Sequence, residues 1–210
     1  MLTCLALCAA FLLQQPDSLL LHPRSPEMNE RAPETYRVRV DTSKGLVVIE
    51  VHRDWAPNGA DRFYNLVRHG FYDGARFFRI RAGVFAQFGI NGNPAIASVW
   101  RSATIPDDPW AGVSNQRGTI AYAFRDPNGR TTQVFISLKD NSADDDKEFV
   151  PFGRVIEGMD VVDSLYSDYG ERAGGGIRGG RQDPLFQGGN DYLSQHFPKL
   201  DFIVRATIER

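Results

Sequence analysis

The sequence predicts a mainly β protein, either an antiparallel barrel or a sandwich. Short apolar runs that alternate with polar residues recur along the chain, and only two stretches carry the 3.6-residue period of a helix. Strands at such short spacing with only two helices are typical of these two architectures. The first and last runs both alternate, so they could pair and remove the free edges of the sheet.

The composition is that of an ordinary soluble domain. The 210-residue chain is 42% hydrophobic and 24% charged, with a net charge of −2, which gives no general attraction to nucleic acid or to an anionic membrane. Both cysteines lie in the first ten residues, so the remainder has no disulfide, thiol nucleophile or cysteine metal site. The four histidines are far apart, and we predict neither a metal nor a cofactor.

The chain divides into three parts. Residues 1–13 are almost wholly apolar and too short to span a bilayer comfortably, so we predict an export signal over 1–15 and an exported, periplasmic or extracytoplasmic protein. A membrane anchor at Cys8 and a frayed apolar tail are the alternatives. Residues 16–34, rich in Pro, Ser and charge, predict a flexible linker, and residues 35–210 predict a single domain.

The domain opens with two strands and a helix. Residues 36–41 alternate, residues 46–52 are apolar and β-branched, and the Gly turn between them predicts a hairpin. The following residues, 56–70, predict a helix that begins at Pro57 and ends at Gly70. The predicted apolar face of this helix consists of Ala60, Phe63, Tyr64 and Val67.

The middle of the domain predicts four strands around a long loop. Residues 75–80 and 83–89 predict two short strands, and residues 89–116 predict a loop. Residues 118–124 and 133–138 predict two further strands joined by a turn.

The last part predicts a strand, a helix, a loop and a closing strand. Residues 149–155 predict a strand with Pro151 at an edge or a bulge, and residues 158–167 predict the second helix. The Gly-rich residues 170–191 predict a long loop, and residues 200–208 predict the final strand. The inward positions expected on this strand are Phe202, Val204, Ala206 and Ile208.

Two motifs carry little weight. Residues 174–179, GGGIRG, match a nucleotide-binding fingerprint, but they follow a helix inside a Gly-rich loop instead of following a strand. The run Asp144 to Asp146 lacks the spacing and the closing Glu of a calcium-binding loop, so it predicts a solvated acidic loop.

The stretch YDGARFFRIRAGVFAQFG, residues 72–89, places Arg79 and Gln87 among apolar residues, where a polar group needs a partner or a ligand. This stretch resembles the cyclophilin signature. The segments GRTTQVFISL (129–138) and FVPFGRVIEGMDVVD (149–163) are similar to later segments of that family, and VVIEVHRDW onward to an earlier one. The resemblance covers about residues 36–167 and the last strand.

The resemblance implies a closed eight-stranded antiparallel β-barrel capped by two α-helices, with peptidyl-prolyl cis–trans isomerase activity. Arg79 aligns with the family's essential arginine, and Gln87 with the glutamine that would orient it and bind the peptide carbonyl. The implied peptide-binding residues are Phe85, Ala123, Phe124, Gln133, Phe135 and Phe149. The alternatives for single residues are a structural ion-pair role for Arg79 and a core-only role for Phe85 and Phe135. The alternative function is a weak or inactive proline-peptide-binding chaperone or scaffold, which the altered lid and Val84, in place of the family's phenylalanine, would favour.

The implied partners are proline-containing peptides or unfolded protein clients of a monomeric enzyme, without nucleic acid or metal. The lid region departs from the family, because DDDKEF (144–149) stands where many members have tryptophan or leucine and then histidine. We expect these acids to favour cationic peptides and to attract Arg79.

Overall fold

Eight strands form one antiparallel sheet in the computed structural model, which describes residues 18–174 and 182–209. The strands are β1 (Thr35–Thr42), β2 (Gly45–His52), β3 (Arg79–Arg81), β4 (Phe85–Phe88), β5 (Thr119–Tyr122), β6 (Val134–Ser137), β7 (Pro151–Glu157) and β8 (Ile203–Ile208). Their spatial order is β3-β4-β6-β5-β7-β2-β1-β8, with every neighbouring pair antiparallel. The prediction of a mainly β fold is confirmed.

The edge strands β3 and β8 do not form a ladder with each other among the described residues. The residues just before them meet instead: an isolated bridge joins Arg76 to Phe202, and the Phe77 N–H donates to the Asp201 carbonyl at 3.0 Å. Because β3 is only three residues long, it has little backbone with which to continue the pairing. The sheet is therefore a curled, open half-barrel over the described residues. The eight strands and their antiparallel order are confirmed, and the predicted closure of the barrel is not.

Helix α1 (Pro57–Arg68) packs its apolar face against the sheet. The buried Phe63 ring lies with its centroid 5.1 Å from that of Phe152 on β7. The Asp108 carboxylate accepts the N–H groups of Asn58 and Gly59, each at 2.8 Å, and so satisfies two of the unpaired donors at the helix start. This helix and the shorter α3 (Met159–Asp163) are the two that the sequence predicts.

A further helix, α2 (Pro94–Trp100), lies within residues 89–116, where a loop was predicted, so that prediction is wrong over this range. The Asn93 side chain caps it by accepting the Ala95 N–H at 2.9 Å, and Trp100 at its end is buried. A helix of seven residues makes about two turns, too few for a clear period in the sequence.

Helix α4 (Asp183–His196) replaces part of the loop predicted for residues 170–191. The sequence did not predict this helix because it contains two glycines, which lower helix propensity. The helix is kinked at Gly189, where φ is +52°. Side chains from α4, from α2 and from Phe78, just before β3, contribute to a second apolar cluster outside the main core. Its buried members are Phe78, Ile90, Ala97, Ala173, Leu185, Phe186, Leu193 and Leu200.

Residues 18–34 pack on the domain, so the flexible linker predicted for 16–34 is wrong over this range. Met28 is fully buried in the main core. The Trp100 indole N–H donates to the Leu20 carbonyl at 2.8 Å, and the Asn65 amide donates to the Glu30 carbonyl at 2.7 Å. Scattered apolar residues thus dock a segment whose composition is that of a linker.

The final strand is bulged, so its predicted alternation is wrong in part. Ile203 and Ala206 are buried and Val204 is exposed, because the pairing of β8 with β1 shifts register between Asp41 and Thr42. The prediction of Pro151 at a bulge is confirmed by the register shift where it pairs with β5.

The export signal predicted over 1–15 lies outside the described residues, as does most of the GGGIRG motif. None of the helices in the described ranges is both long and apolar enough to cross a membrane.

Candidate active site

The pairing of β3 with β4 brings Arg79 opposite Gln87. An Arg79 Nη1–H donates to Gln87 Oε1 at 2.8 Å, and the guanidinium carbon lies 4.8 Å from the centroid of the Phe85 ring. Gln87 is buried and the Arg79 side chain is 13% exposed. The structure therefore brings together the three residues of this strand pair that the sequence predicted, with the cation lying over an aromatic face.

A carboxylate that the sequence did not single out completes the surroundings of Arg79. Glu171 Oε1 accepts hydrogen bonds from Arg79 Nε at 2.9 Å and from Nη2 at 2.5 Å, and its side chain is 20% exposed. The structural ion pair weighed as an alternative is thus present. Sequence reasoning missed Glu171 because it lies in the Gly-rich stretch predicted as a loop, outside every recognised motif.

A chain of glutamines continues from Gln87 across the sheet. The Gln87 amide donates to Gln133 Oε1 at 2.9 Å. Gln133 and Gln182 exchange two further hydrogen bonds at 3.0 and 3.1 Å. Gln133, predicted at the rim of the groove, is therefore held from both sides, and Gln182 is a second contact that the sequence did not indicate.

Four aromatic rings form a continuous row beside Arg79. The ring centroids of Phe85 and Phe135 are 6.0 Å apart, those of Phe135 and Phe149 5.5 Å, and those of Phe149 and Phe124 4.9 Å. All four side chains are partly exposed, in contrast to the phenylalanines of the core. They therefore line an apolar surface open to a ligand, which argues against the core-only alternative.

One backbone group of Ala123 already forms a hydrogen bond within the protein. Its N–H donates to the Gln133 carbonyl at 2.9 Å, so a bound peptide would have to pair with other backbone groups at Ala123 and Phe124. The buried guanidinium of Arg130 lies 4.1 Å from the Phe124 ring centroid, pairs with Asp107, and has a pKa lowered by desolvation. Arg130 thus supports the Phe124 end of the row.

The acidic loop forms a 3₁₀ turn, Ser142–Lys147, that is tied to residues 114–115. Asp145 accepts hydrogen bonds from the Ser114 hydroxyl at 2.5 Å and from the Asn115 N–H and side-chain amide at 2.8 Å. Burial alone would raise the pKa of Asp145, but these bonds outweigh it and lower the pKa. The Asn115 amide also donates to the Phe149 carbonyl at 2.7 Å, so the turn positions Phe149.

The Asp145 carboxylate is occupied by Ser114 and Asn115, so the expected attraction of Arg79 is not made by Asp145. A carboxylate outside the acidic loop, that of Glu171, binds Arg79. No group of three or more His, Cys, Asp or Glu side chains within residues 18–174 and 182–209 could hold a metal ion.

Comparison with known proteins gives one consistent result. The sequence profile of the family described as "Cyclophilin type peptidyl-prolyl cis-trans isomerase/CLD" matches residues 37–175. A peptidyl-prolyl cis-trans isomerase of Acinetobacter baylyi is 35% identical over 136 residues, which cover 61% of this chain and 70% of the relative. Peptidyl-prolyl cis-trans isomerase B of Escherichia coli is 30% identical over 177 residues, covering 80% and 96%.

A solved structure shares the fold. The crystal structure of a Cryptosporidium parvum cyclophilin-type isomerase, determined in the presence of the dipeptide Ala-Pro, superposes with a TM-score of 0.57 at 17% identity. The match covers 83% of this chain and 99% of that one.

Proposed function

The chain belongs to the cyclophilin family of peptidyl-prolyl cis–trans isomerases, and we propose that Arg79 is the residue with which it accelerates rotation about X–Pro bonds. The observation that carries this proposal is the Arg79 guanidinium fixed beside a partly exposed row of aromatic rings. A cation and an apolar surface side by side are what a prolyl amide requires.

The reaction requires no covalent intermediate. Rotation about the amide is slow because the C–N bond has partial double-bond character, with a barrier of about 18–20 kcal/mol. Twisting the bond ends the conjugation and returns a lone pair to the proline nitrogen. An Arg79 N–H that donates to that nitrogen stabilises the twisted state more than the planar one and so lowers the barrier. Arginine suits this role because its planar guanidinium stays protonated at any physiological pH.

The neighbouring residues receive separate roles in this proposal. Gln87 fixes Arg79 and offers its amide group to the peptide carbonyl. Phe85 and Phe135 receive the proline ring, and Phe149 covers it in place of the family's histidine. Ala123, Phe124 and Gln133 would bind the rest of an extended peptide; Phe124 continues the aromatic row beyond Phe149, and Gln133 lies beside Gln87.

The cellular setting is a further part of the proposal. The apolar residues 1–13 support export, so the enzyme would assist the folding of exported proteins, with proline-containing segments of unfolded clients as substrates. We propose a monomer, since Arg79 and the whole aromatic row come from a single chain.

A second candidate function is a peptide-binding module with little turnover. It is favoured by the Glu171 carboxylate on Arg79, which could weaken the cation's interaction with a prolyl nitrogen. The two functions differ in turnover and share the groove.

The test is exchange spectroscopy by NMR on a short Ala-Pro-Phe-type peptide with catalytic amounts of the full chain. We expect exchange between the cis and trans forms to be accelerated by the wild type and by Arg81→Ala, an exposed neighbour on the same strand, but not by Arg79→Ala. Peptide binding without acceleration by the wild type would support the binding module and contradict the isomerase mechanism.

A further inference from the structure

Glu171 belongs to a turn, residues 167–174, that is packed directly on the strand carrying Arg79. The Gly170 carbonyl accepts the Ile80 N–H at 3.1 Å. Ala173 is buried in the second apolar cluster. At Gly174 an added Cβ would lie 2.7 Å from the Phe78 ring and 3.0 Å from the Arg79 Cβ, so the backbone of the turn touches this strand. The position of the Glu171 carboxylate is therefore fixed by packing on both sides of it.

The carboxylate and Gln87 hold different parts of the guanidinium. Glu171 binds the edge formed by Nε and Nη2, and Gln87 binds Nη1. A planar group that is held at two places is restrained from rotating about its last side-chain bonds, and loss of the carboxylate would remove two of the hydrogen bonds that hold it. Each terminal nitrogen of a guanidinium carries two N–H donors, and the bonds of this clamp, to Gln87 and Glu171, take one from each.

We propose that Glu171 is a positioning residue for the isomerisation: it holds the guanidinium of Arg79 in the orientation from which it donates to the proline nitrogen. This inference rests on the proposed function of Arg79. Misorientation of a reacting group by a fraction of a bond length slows a reaction strongly, whereas the binding of the peptide depends on the aromatic row and changes little. A lower isomerisation rate with an unchanged affinity for the peptide is thus the result expected if Glu171 positions Arg79.

The experiment compares Glu171→Ala, Glu171→Gln and a matched control, Asp183→Asn. Asp183 lies in the same part of the chain, its ion pair with Arg101 is exposed, and it does not contact Arg79. At saturating peptide, we expect Glu171→Ala to lower the catalysed exchange rate about tenfold, with the dissociation constant of the peptide within about twofold of wild type. Glu171→Gln should recover part of the rate, since an amide oxygen still accepts from Nε, and Asp183→Asn should match the wild type.

A second readout reports the clamp without turnover. The Arg79 Nε–H, assigned by its loss in Arg79→Lys, should exchange slowly with water in the wild type and in Asp183→Asn, and quickly in Glu171→Ala. An exchange rate of this proton that is unchanged in Glu171→Ala overturns the inference.

The catalysed rate can overturn it independently. A rate that is unchanged or raised in Glu171→Ala would mean that the carboxylate is neutral or restrains Arg79. An equal fall in rate in Asp183→Asn would mean that loosening this part of the chain, and not loss of the carboxylate, is responsible. If the wild type itself gives no acceleration, the proposed function fails, and the Nε–H signal still decides whether Glu171 holds Arg79.

Discussion

Met28→Ala tests whether residues 18–34 are an integral part of the folded domain. The Met28 side chain is fully buried in the main core, although it comes from a segment with the composition of a linker. The substitution removes three heavy atoms, worth about 2.4 kcal/mol at ~0.8 kcal/mol each, and leaves a cavity. Methionine-to-alanine changes in cores cost about 2–5 kcal/mol, and we expect the lower half of that range because a peripheral segment can partly collapse.

The assay is equilibrium unfolding in urea followed by tryptophan fluorescence. Trp100 is a suitable reporter because its indole binds the Leu20 carbonyl of the same segment. With a slope of about 2–3 kcal/mol per M, the midpoint should fall by about 1 M. The control is Glu27→Ala, an exposed position in the same short turn as Met28, which should leave the midpoint unchanged. A Met28→Ala midpoint equal to that of the wild type would refute the reasoning and restore the linker.

Two further predictions concern the acidic turn and the kinked helix. Because the pKa of Asp145 is lowered in the fold, the stability that its ionised carboxylate contributes is present above the unfolded pKa and is lost as the pH falls. The difference in unfolding free energy between wild type and Asp145→Asn, measured by urea titration, should therefore shrink below about pH 4. A difference that stays constant from pH 7 to pH 3 would contradict this. Gly189→Ala should cost about 3 kcal/mol of unfolding free energy, because φ is +52° and the new Cβ would lie 2.1 Å from the Gly92 carbonyl oxygen. Gly112→Ala, with φ +83° in open space, is the control and should cost about 1 kcal/mol, both measured by equilibrium unfolding in urea.

The features that the sequence predicted best are those with a strong local period or a recognised motif. β1, β2 and α1 combine alternation, a Gly turn and an apolar helical face, and each formed within a residue or two of its predicted bounds. Polar residues in an apolar strand demand a partner or a ligand, and the resemblance to the cyclophilin signature identified Arg79 and Gln87 as a pair; the β3–β4 register places them opposite each other.

The features that were missed depend on tertiary contacts. In the sequence, Glu171 cannot be distinguished from a surface glutamate. Its contact with Arg79 depends on the packing of the 167–174 turn on β3, which no local pattern predicts. Helix α4 contains a glycine pair and a kink, which interrupt the apolar period in its sequence. The helix is stabilised by packing on the second apolar cluster, which the sequence does not reveal. Met28 likewise has only scattered apolar residues near it in sequence, too few to form a recognisable face.

The Gly170 carbonyl that accepts the Ile80 N–H also has a consequence for solubility. β3 is an edge strand, and an uncovered edge is a template on which a second chain can add. The turn occupies part of that edge, and α4 covers the apolar surface around Phe78 beside it. Deletion of residues 167–200 would therefore expose an unpaired strand edge and an apolar surface together, and we expect the shortened domain to aggregate.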